Sequence, residues 1–190
     1  DKDSKIKSLT KDADGNLVVT YKDGSTDKRP LSEFVTLDKQ PAIDAVNNAA
    51  QAKIDEINKT PNATDDEKQA AIDKVNADKK KALDEIAKPE VTTKEALDTA
   101  KTAGTTAIVG DNPVVAKKDA AKADVETARK AKEDAIKANP NLTQAEKDAA
   151  IAKNNTAAEE AIKAIDSATT NDAVDKAKEA GTGEIAKVNP

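Results

Sequence analysis

The sequence predicts a mainly α fold: two tandem three-helix bundles placed end to end, preceded by a small β-hairpin segment. Three observations carry this expectation. The motif T-x-x-E-K-x-A-A-I-x-K occurs twice, from Thr64 to Lys74 and from Thr143 to Lys153, an offset of 79. Within each copy, apolar residues recur three and four apart, which is the period of a helix face. An alternation of apolar and polar residues, the period of a strand, is confined to the first 37 residues. The chain therefore divides into a β segment at 1–37, a first helical repeat at 38–111 and a second at 112–190.

Composition supports thin bundles. Ile, Leu, Val and Phe together make up less than a fifth of the 190 residues, and a share below roughly 20% goes with disorder when net charge is high. Net charge is only −5, with 31 Lys and Arg against 36 Asp and Glu. Ala, the strongest helix former, fills the apolar deficit. The chain has no Cys, hence no disulfide framework, thiolate metal site or cysteine nucleophile. It has no His, which removes the usual zinc sites and histidine general bases. No apolar run approaches the roughly 20 residues that span a bilayer, so no membrane insertion is expected. Balanced, mildly acidic charge argues against nucleic acid, which calls for a basic face with stacking aromatics; here Tyr21 and Phe34 are the only aromatics. Residue 1 is Asp rather than Met, so the chain reads as part of a longer one.

The β segment comes first. Leu17, Val19 and Tyr21 alternate with Val18 and Thr20 between the turn residues Asp14-Gly15-Asn16 and Asp23-Gly24. That is a strand between two turns, part of a hairpin or three-stranded unit. Because a lone hairpin is marginal in water, it is expected to pack on the first bundle or to be the tail of a preceding domain. Asp12, Asp14 and Asn16, with Asp23 at the twelfth position, have the spacing of a calcium loop. Leu17 occupies the sixth position, where glycine is wanted, and the flanks are strand-like. A turn joining two strands is the adopted reading.

The first helix of each repeat is expected at 41–59 and 113–138. Its stripe in the first repeat is Ile43, Val46, Ala50, Ile54 and Ile57, and Pro61 or Pro140 enforces its end. The second helix begins at Thr64 or Thr143, with Glu67 or Glu146 completing a capping box. Its stripes are Ile72, Val75, Lys79, Ala82 and Ile86, and Ile151, Asn154, Ala158, Ala161 and Ile165. Lys79 and Asn154 interrupt these stripes; partial exposure is expected of them, a register-setting polar core position being the alternative. The third helix follows Thr92 or Thr169, with Thr92 and Glu95 at capping-box spacing. It carries Leu97, Ala100 and Ile108, or Val174, Ala177 and Ile185. Here the offset falls to 77, as a two-residue deletion near position 167 would give: Gly104 matches Gly181, and Asn112-Pro113 matches Asn189-Pro190. Gly104 and Gly181 read as a helix end or local fray, with close helix–helix approach the alternative.

A three-helix unit reverses direction twice, so its ends emerge at opposite poles. Units stacked pole to pole would make a rod, each adding roughly 35–40 Å. At the junction, Asp111 or Asn112 is expected to cap the next helix, with Pro113 in its first position. Gly110 argues for a short break there rather than one continuous helix. Ala-rich cores predict modest stability per unit.

Candidate chemistry is sparse. Acidic residues such as Asp44, Asp55 and Glu56 are interspersed with Lys and read as solvated helix faces rather than paired catalytic carboxylates. Asn58, Asn62, Asn141 and Asn154 each begin an Asn-x-Thr triplet, the glycosylation pattern, which comes cheaply in a chain rich in Asn and Thr. No catalytic, cofactor-binding or metal-ligating residue is assigned, no cofactor is called for, and no enzyme activity is expected.

The helix-start motif, the period of roughly 78 residues and the Asn112-Pro113 junction resemble the repeats called domain of unknown function 1542 (DUF1542), found in Gram-positive cell-wall-anchored surface proteins. The resemblance covers about 40–190. Residues 15–35, with Tyr21-Lys-Asp-Gly24-Ser-Thr-Asp27, are similar to the Y-P-D-G-S β segments of such proteins, Lys22 replacing the usual proline. The resemblance implies a secreted, peptidoglycan-anchored protein on the bacterial surface whose repeats form a long rod, in a family associated with matrix adhesion, cell–cell aggregation and biofilm formation. A stalk that projects an adhesive region is the first expectation. The second is a binding module that captures a host extracellular-matrix or plasma protein. Binding hot spots are enriched in Trp, Tyr and Arg, and the helical repeats contain no aromatic and the single Arg129, which favours the stalk. Neighbouring repeats in the same chain are the expected contacts, and the protein is expected to be a monomer.

Overall fold

The structure, a computed structural model, describes residues 5–31 and 36–189. Residues 1–4 and 32–35 of the expected β segment, and Pro190 of the second Asn-Pro pair, lie outside the described residues.

Three strands come first: β1 (Ile6–Lys11), β2 (Asn16–Tyr21) and β3 (Thr26–Pro30). They form an antiparallel sheet in sequence order, with Leu9 opposite Val19 and Val19 opposite Asp27. Of the two arrangements left open by the sequence, the three-stranded one is found. Gly15 and Gly24 make the two turns with φ of 82° and 87°, a region glycine enters without a Cβ penalty. No described strand residue is buried: β2 is half-buried along its length, and β3 is exposed. The expected packing on the first bundle is therefore not expressed as burial, and the sheet adds nothing to the core.

Six helices follow as two tandem sets of three. The first set is α1 (Gln40–Asn58), α2 (Asp65–Ala87) and α3 (Lys94–Gly110). The second is α4 (Lys117–Ala138), α5 (Gln144–Ser167) and α6 (Asn171–Lys187). The chain divides into two compact units, one of residues 1–50 with 78–108, the other of 51–77 with 109–190. Helices α1 and α2 run through both units, so the division falls inside the first repeat and not at its end.

Within the first unit Val46, Ala82, Ile86, Leu97 and Ile108 are buried. Within the second, α4, α5 and α6 each pack against the other two around Val125, Ala161, Ile165, Val174 and Ile185. Most of the expected stripes are buried, among them Val46, Ala50, Ile57, Val75, Ile86, Ala158 and Ile165, and the buried residue lies one position earlier at four places. Ala42 and Lys53 are buried in α1 where Ile43 and Ile54 are half-buried, and Ala71 and Ala150 are buried where Ile72 and Ile151 are half-buried. Branched residues such as Val46, Ile57, Val75 and Ile86 and small ones such as Ala42, Ala50, Ala71 and Ala82 share the buried line, and the small ones let backbones come close.

Gly104 and Gly181 correct the helix-end reading. Both are buried, and α3 runs six residues past Gly104 while α6 runs six past Gly181. A Cβ on Gly104 would lie 2.3 Å from the Cβ of Ala82, and one on Gly181 would lie 2.2 Å from that of Ala161. Each repeat thus brings its second and third helices together through a Gly-on-Ala contact, and close approach is the reason for the glycine.

Asn154 corrects the exposure reading. Its side chain is fully buried, and its Nδ2 donates to the carbonyl oxygen of Arg129 at 2.8 Å. The first repeat has Val75 and Ala50 at these positions. Lys79 is half-buried, as expected. The cap of the third helix is also one residue further on. Thr93 Oγ1 accepts from the Ala96 amide at 3.1 Å, and Thr170 Oγ1 from the Ala173 amide at 3.2 Å, so Thr92 and Glu95 do not form the expected box.

Candidate functional site

Residues 111–116 join α3 to α4 without regular structure, so the break after Gly110 is real. Pro113 is not the first residue of α4, which begins four residues later at Lys117. Neither Asp111 nor Asn112 caps it. Ala116 is the N-cap residue and offers no capping side chain, yet the first amides of a helix need acceptors.

Glu67 supplies them from another helix. Its Oε2 accepts from the Thr64 amide at 2.9 Å while Thr64 Oγ1 accepts from the Glu67 amide at 3.2 Å, the capping box that starts α2. Its Oε1 accepts from the amides of Ala116 and Lys117, at 2.9 and 2.8 Å. One carboxylate therefore begins two helices, α2 of the first repeat and α4 of the second. Its negative charge also suits the positive end of α4. Burial alone would raise the Glu67 pKa; the amides of Ala116, Thr64 and Lys117 outweigh that and hold it below the ordinary glutamate value.

The same corner receives the α5–α6 connection. The Asp65 amide donates to the carbonyl of Thr169 at 2.7 Å, Thr64 Oγ1 donates to Asn171 Oδ1 at 2.7 Å, and the Asn171 amide donates to Asp66 Oδ2 at 2.6 Å. Thr64 is fully buried as a result. The connecting segment itself reaches back to α1 and α2. Lys53, buried to 4% exposure, donates to Asn112 Oδ1 at 2.6 Å and to Glu56 Oε1 at 3.1 Å. Lys74 pairs with Asp111, whose side chain is fully buried and whose second oxygen takes no hydrogen bond. Asp111 and Asn112 thus anchor the junction to the preceding helices, the reverse of the expected capping of the next one.

The other sequence candidates fall elsewhere. Asp12 Oδ1 accepts from the amides of Asp14 and Asn16, at 3.0 and 2.8 Å, and the Asp12 carboxylate pairs with Lys28. The Lys28 ammonium and the Asn16 donors hold the Asp12 carboxyl far below its usual range. Asp23 Oδ1 accepts from the Ser25 amide and hydroxyl, at 2.9 and 2.6 Å. The two aspartates serve different turns at opposite ends of β2, a separation of roughly 17–20 Å, so the calcium-loop spacing is not a cluster. No group of acidic residues suited to a metal ion is found among the described residues, and no described helix is long and apolar enough to cross a membrane. Of the Asn-x-Thr triplets, Asn58, Asn62 and Asn141 are exposed, whereas Asn154 is inaccessible. A shallow groove runs between α2 and α3 in the first unit, lined by Ala82, Val91, Ala96, Ala100 and Ala103, and one between α5 and α6 is lined by Ala157, Ala164, Ala177 and Ala180.

The role of Glu67 towards α4 was missed by local reading because its partners lie 49 and 50 residues away. The signal was negative: Val114-Val115-Ala116 before α4 contains no capping residue type.

The family model described as Domain of Unknown Function (DUF1542) matches residues 38–116 and, a second time, residues 117–190. The chain belongs to the DUF1542 family. No curated protein and no solved structure matches it. The two DUF1542 copies meet between Ala116 and Lys117, the pair whose amides Glu67 holds. The family boundary is therefore the point at which one repeat caps the next.

Proposed function

We propose that this chain is a non-enzymatic spacer from a bacterial surface adhesin, which projects a binding region away from the cell wall. The observation that supports it most is the sealed junction. Glu67, Thr64 and Asp66 tie the second repeat to the α1–α2 turn of the first through hydrogen bonds of 2.6–2.9 Å, where a bare linker would leave both ends solvated. Absence of His and Cys from the whole sequence supports a passive role, as does membership of a tandem-repeat family typical of surface proteins. Reach that grows with copy number is the property such a segment supplies. Small-angle scattering on chains carrying two, three and four helical repeats tests this. The maximum dimension should rise by roughly 35–40 Å with each added copy, and a dimension that stays nearly constant would sink the proposal.

A second reading rests on the Ala-lined groove between the second and third helices, which recurs in both repeats. It would accept an apolar side chain of a host matrix or plasma protein. Lysines and carboxylates such as Lys81, Glu85 and Glu95 frame it, and its lack of aromatic anchors argues for weak contact at most. Pull-down from plasma with a groove-filling variant, Ala103→Arg, as control separates this reading from the spacer.

A further inference from the structure

The second repeat carries its own copy of the pole on which α4 and α6 are seated. By the offset of 79, Thr143 corresponds to Thr64, Glu146 to Glu67, Lys132 to Lys53 and Lys153 to Lys74. At the first pole these residues are engaged across the junction. At the second, Thr143 and Glu146 are exposed. Thr143 Oγ1, with no asparagine opposite it, turns onto Glu146 Oε2 at 2.7 Å, and the Thr143 amide donates to the same oxygen at 2.8 Å. Glu146 Oε1, the counterpart of the oxygen that caps α4, accepts no hydrogen bond among the described residues. The α5 capping box itself is built as at the first pole.

We propose that this second pole is a docking surface for another copy of the repeat, following in the same chain, with Glu146 Oε1 capping the first helix of the incoming copy. The occupant is identified by the first pole, where the same residue types are covered by a repeat of this kind. Two substitutions make the second seat weaker. Ala145 stands where Asp66 accepts from Asn171, and Val188 stands where Asp111 pairs with Lys74. The two-amide cap and the threonine contact remain. The inference does not depend on the spacer reading, since copies docked at this pole would serve a binding array equally well.

The test uses the full chain with residues 114–190 repeated directly after Pro190, which recreates an Asn-Pro junction. Hydrogen exchange is followed at the appended amides that correspond to Ala116 and Lys117. Glu146→Gln is the probing variant: glutamine can still close a capping box, but its single carbonyl oxygen cannot serve two helices. In the parent extended chain the two appended amides should be protected. Glu146→Gln should speed their exchange about tenfold and leave α5 unchanged. Glu67→Gln in the 190-residue chain, read at Ala116 and Lys117, sets the size of one cap. Appended amides that exchange freely in the parent, or protection indifferent to Glu146→Gln while Glu67→Gln abolishes it, overturns the proposal.

Discussion

Gly104 faces Ala82 so closely that a Cβ in place of its hydrogen would lie 2.3 Å from the alanine Cβ. Both atoms are fixed to helix backbones, so no side-chain rotation relieves the clash. Gly104→Ala gains roughly 1 kcal/mol of helix propensity but forces α2 and α3 apart, an overpacking cost of roughly 1–3 kcal/mol. Net destabilisation is expected in urea unfolding, and the same for Gly181→Ala. Gly183 lies in α6 with nothing within 4 Å of its Cβ position, so Gly183→Ala should instead stabilise by up to about 1 kcal/mol. Equal effects at 104 and 183 would remove the close-approach explanation.

Thr64 and Thr143 are equivalent caps in unequal surroundings. Thr143→Ala removes a surface cap and should cost roughly 1 kcal/mol. Thr64→Ala removes the cap and also leaves Asn171 Oδ1 without its donor in a buried corner, for a total of roughly 2–3 kcal/mol. Thermal unfolding of the two variants side by side measures the difference, which a purely local role for Thr64 would bring to zero.

The carboxylate of Glu67 makes the junction sensitive to acid. Its folded pKa lies below the ordinary value of 4.5, so its contribution is fully present above that value and is lost as pH falls through the lower folded pKa. Glu67→Gln should therefore be less stable than the parent at neutral pH, and the gap should close as pH falls below 4.5. Other carboxylates with lowered values, among them Glu133 and Asp175, titrate in both proteins and cancel in the comparison. A gap that holds constant through this range would show that the charge of Glu67 is irrelevant.

Asn154 occupies the place of an apolar residue. Its Oδ1 is buried without a hydrogen-bond partner, a deficit worth roughly 1–3 kcal/mol. Asn154→Val, which restores the residue type of the first repeat, should raise stability by roughly 1 kcal/mol against the lost bond to Arg129. Urea unfolding followed by helical signal is the check, with a lower midpoint as the contrary result.

The helices were legible because their signals are local. Thr64 with Glu67, Thr143 with Glu146, and Pro61 and Pro140 all act within one turn of chain, and they fixed most boundaries to within a residue or two. What was not legible is what depends on a second helix. Periodicity named Ile43 and Ile54, yet in so Ala-rich a sequence the stripe is wide enough that Ala42 and Lys53 fit it equally well, and only the neighbours decide. Gly104 has the same local sequence whether it ends a helix or admits Ala82. Lys53 is buried because Asn112 receives its ammonium, 59 positions away. Pro113 looked like a helix start, and nothing nearby showed that Glu67 had made that start elsewhere.

Because a single carboxylate nucleates α2 and α4 together, melting the turn at residues 59–67 strips the neighbouring copy of its cap at the same moment. Free energy is then shared between adjacent copies in the manner of a one-dimensional lattice with nearest-neighbour coupling. A copy's resistance to unfolding depends on what adjoins it, so identical sequences in the middle and at the edge of an array would fray at different temperatures.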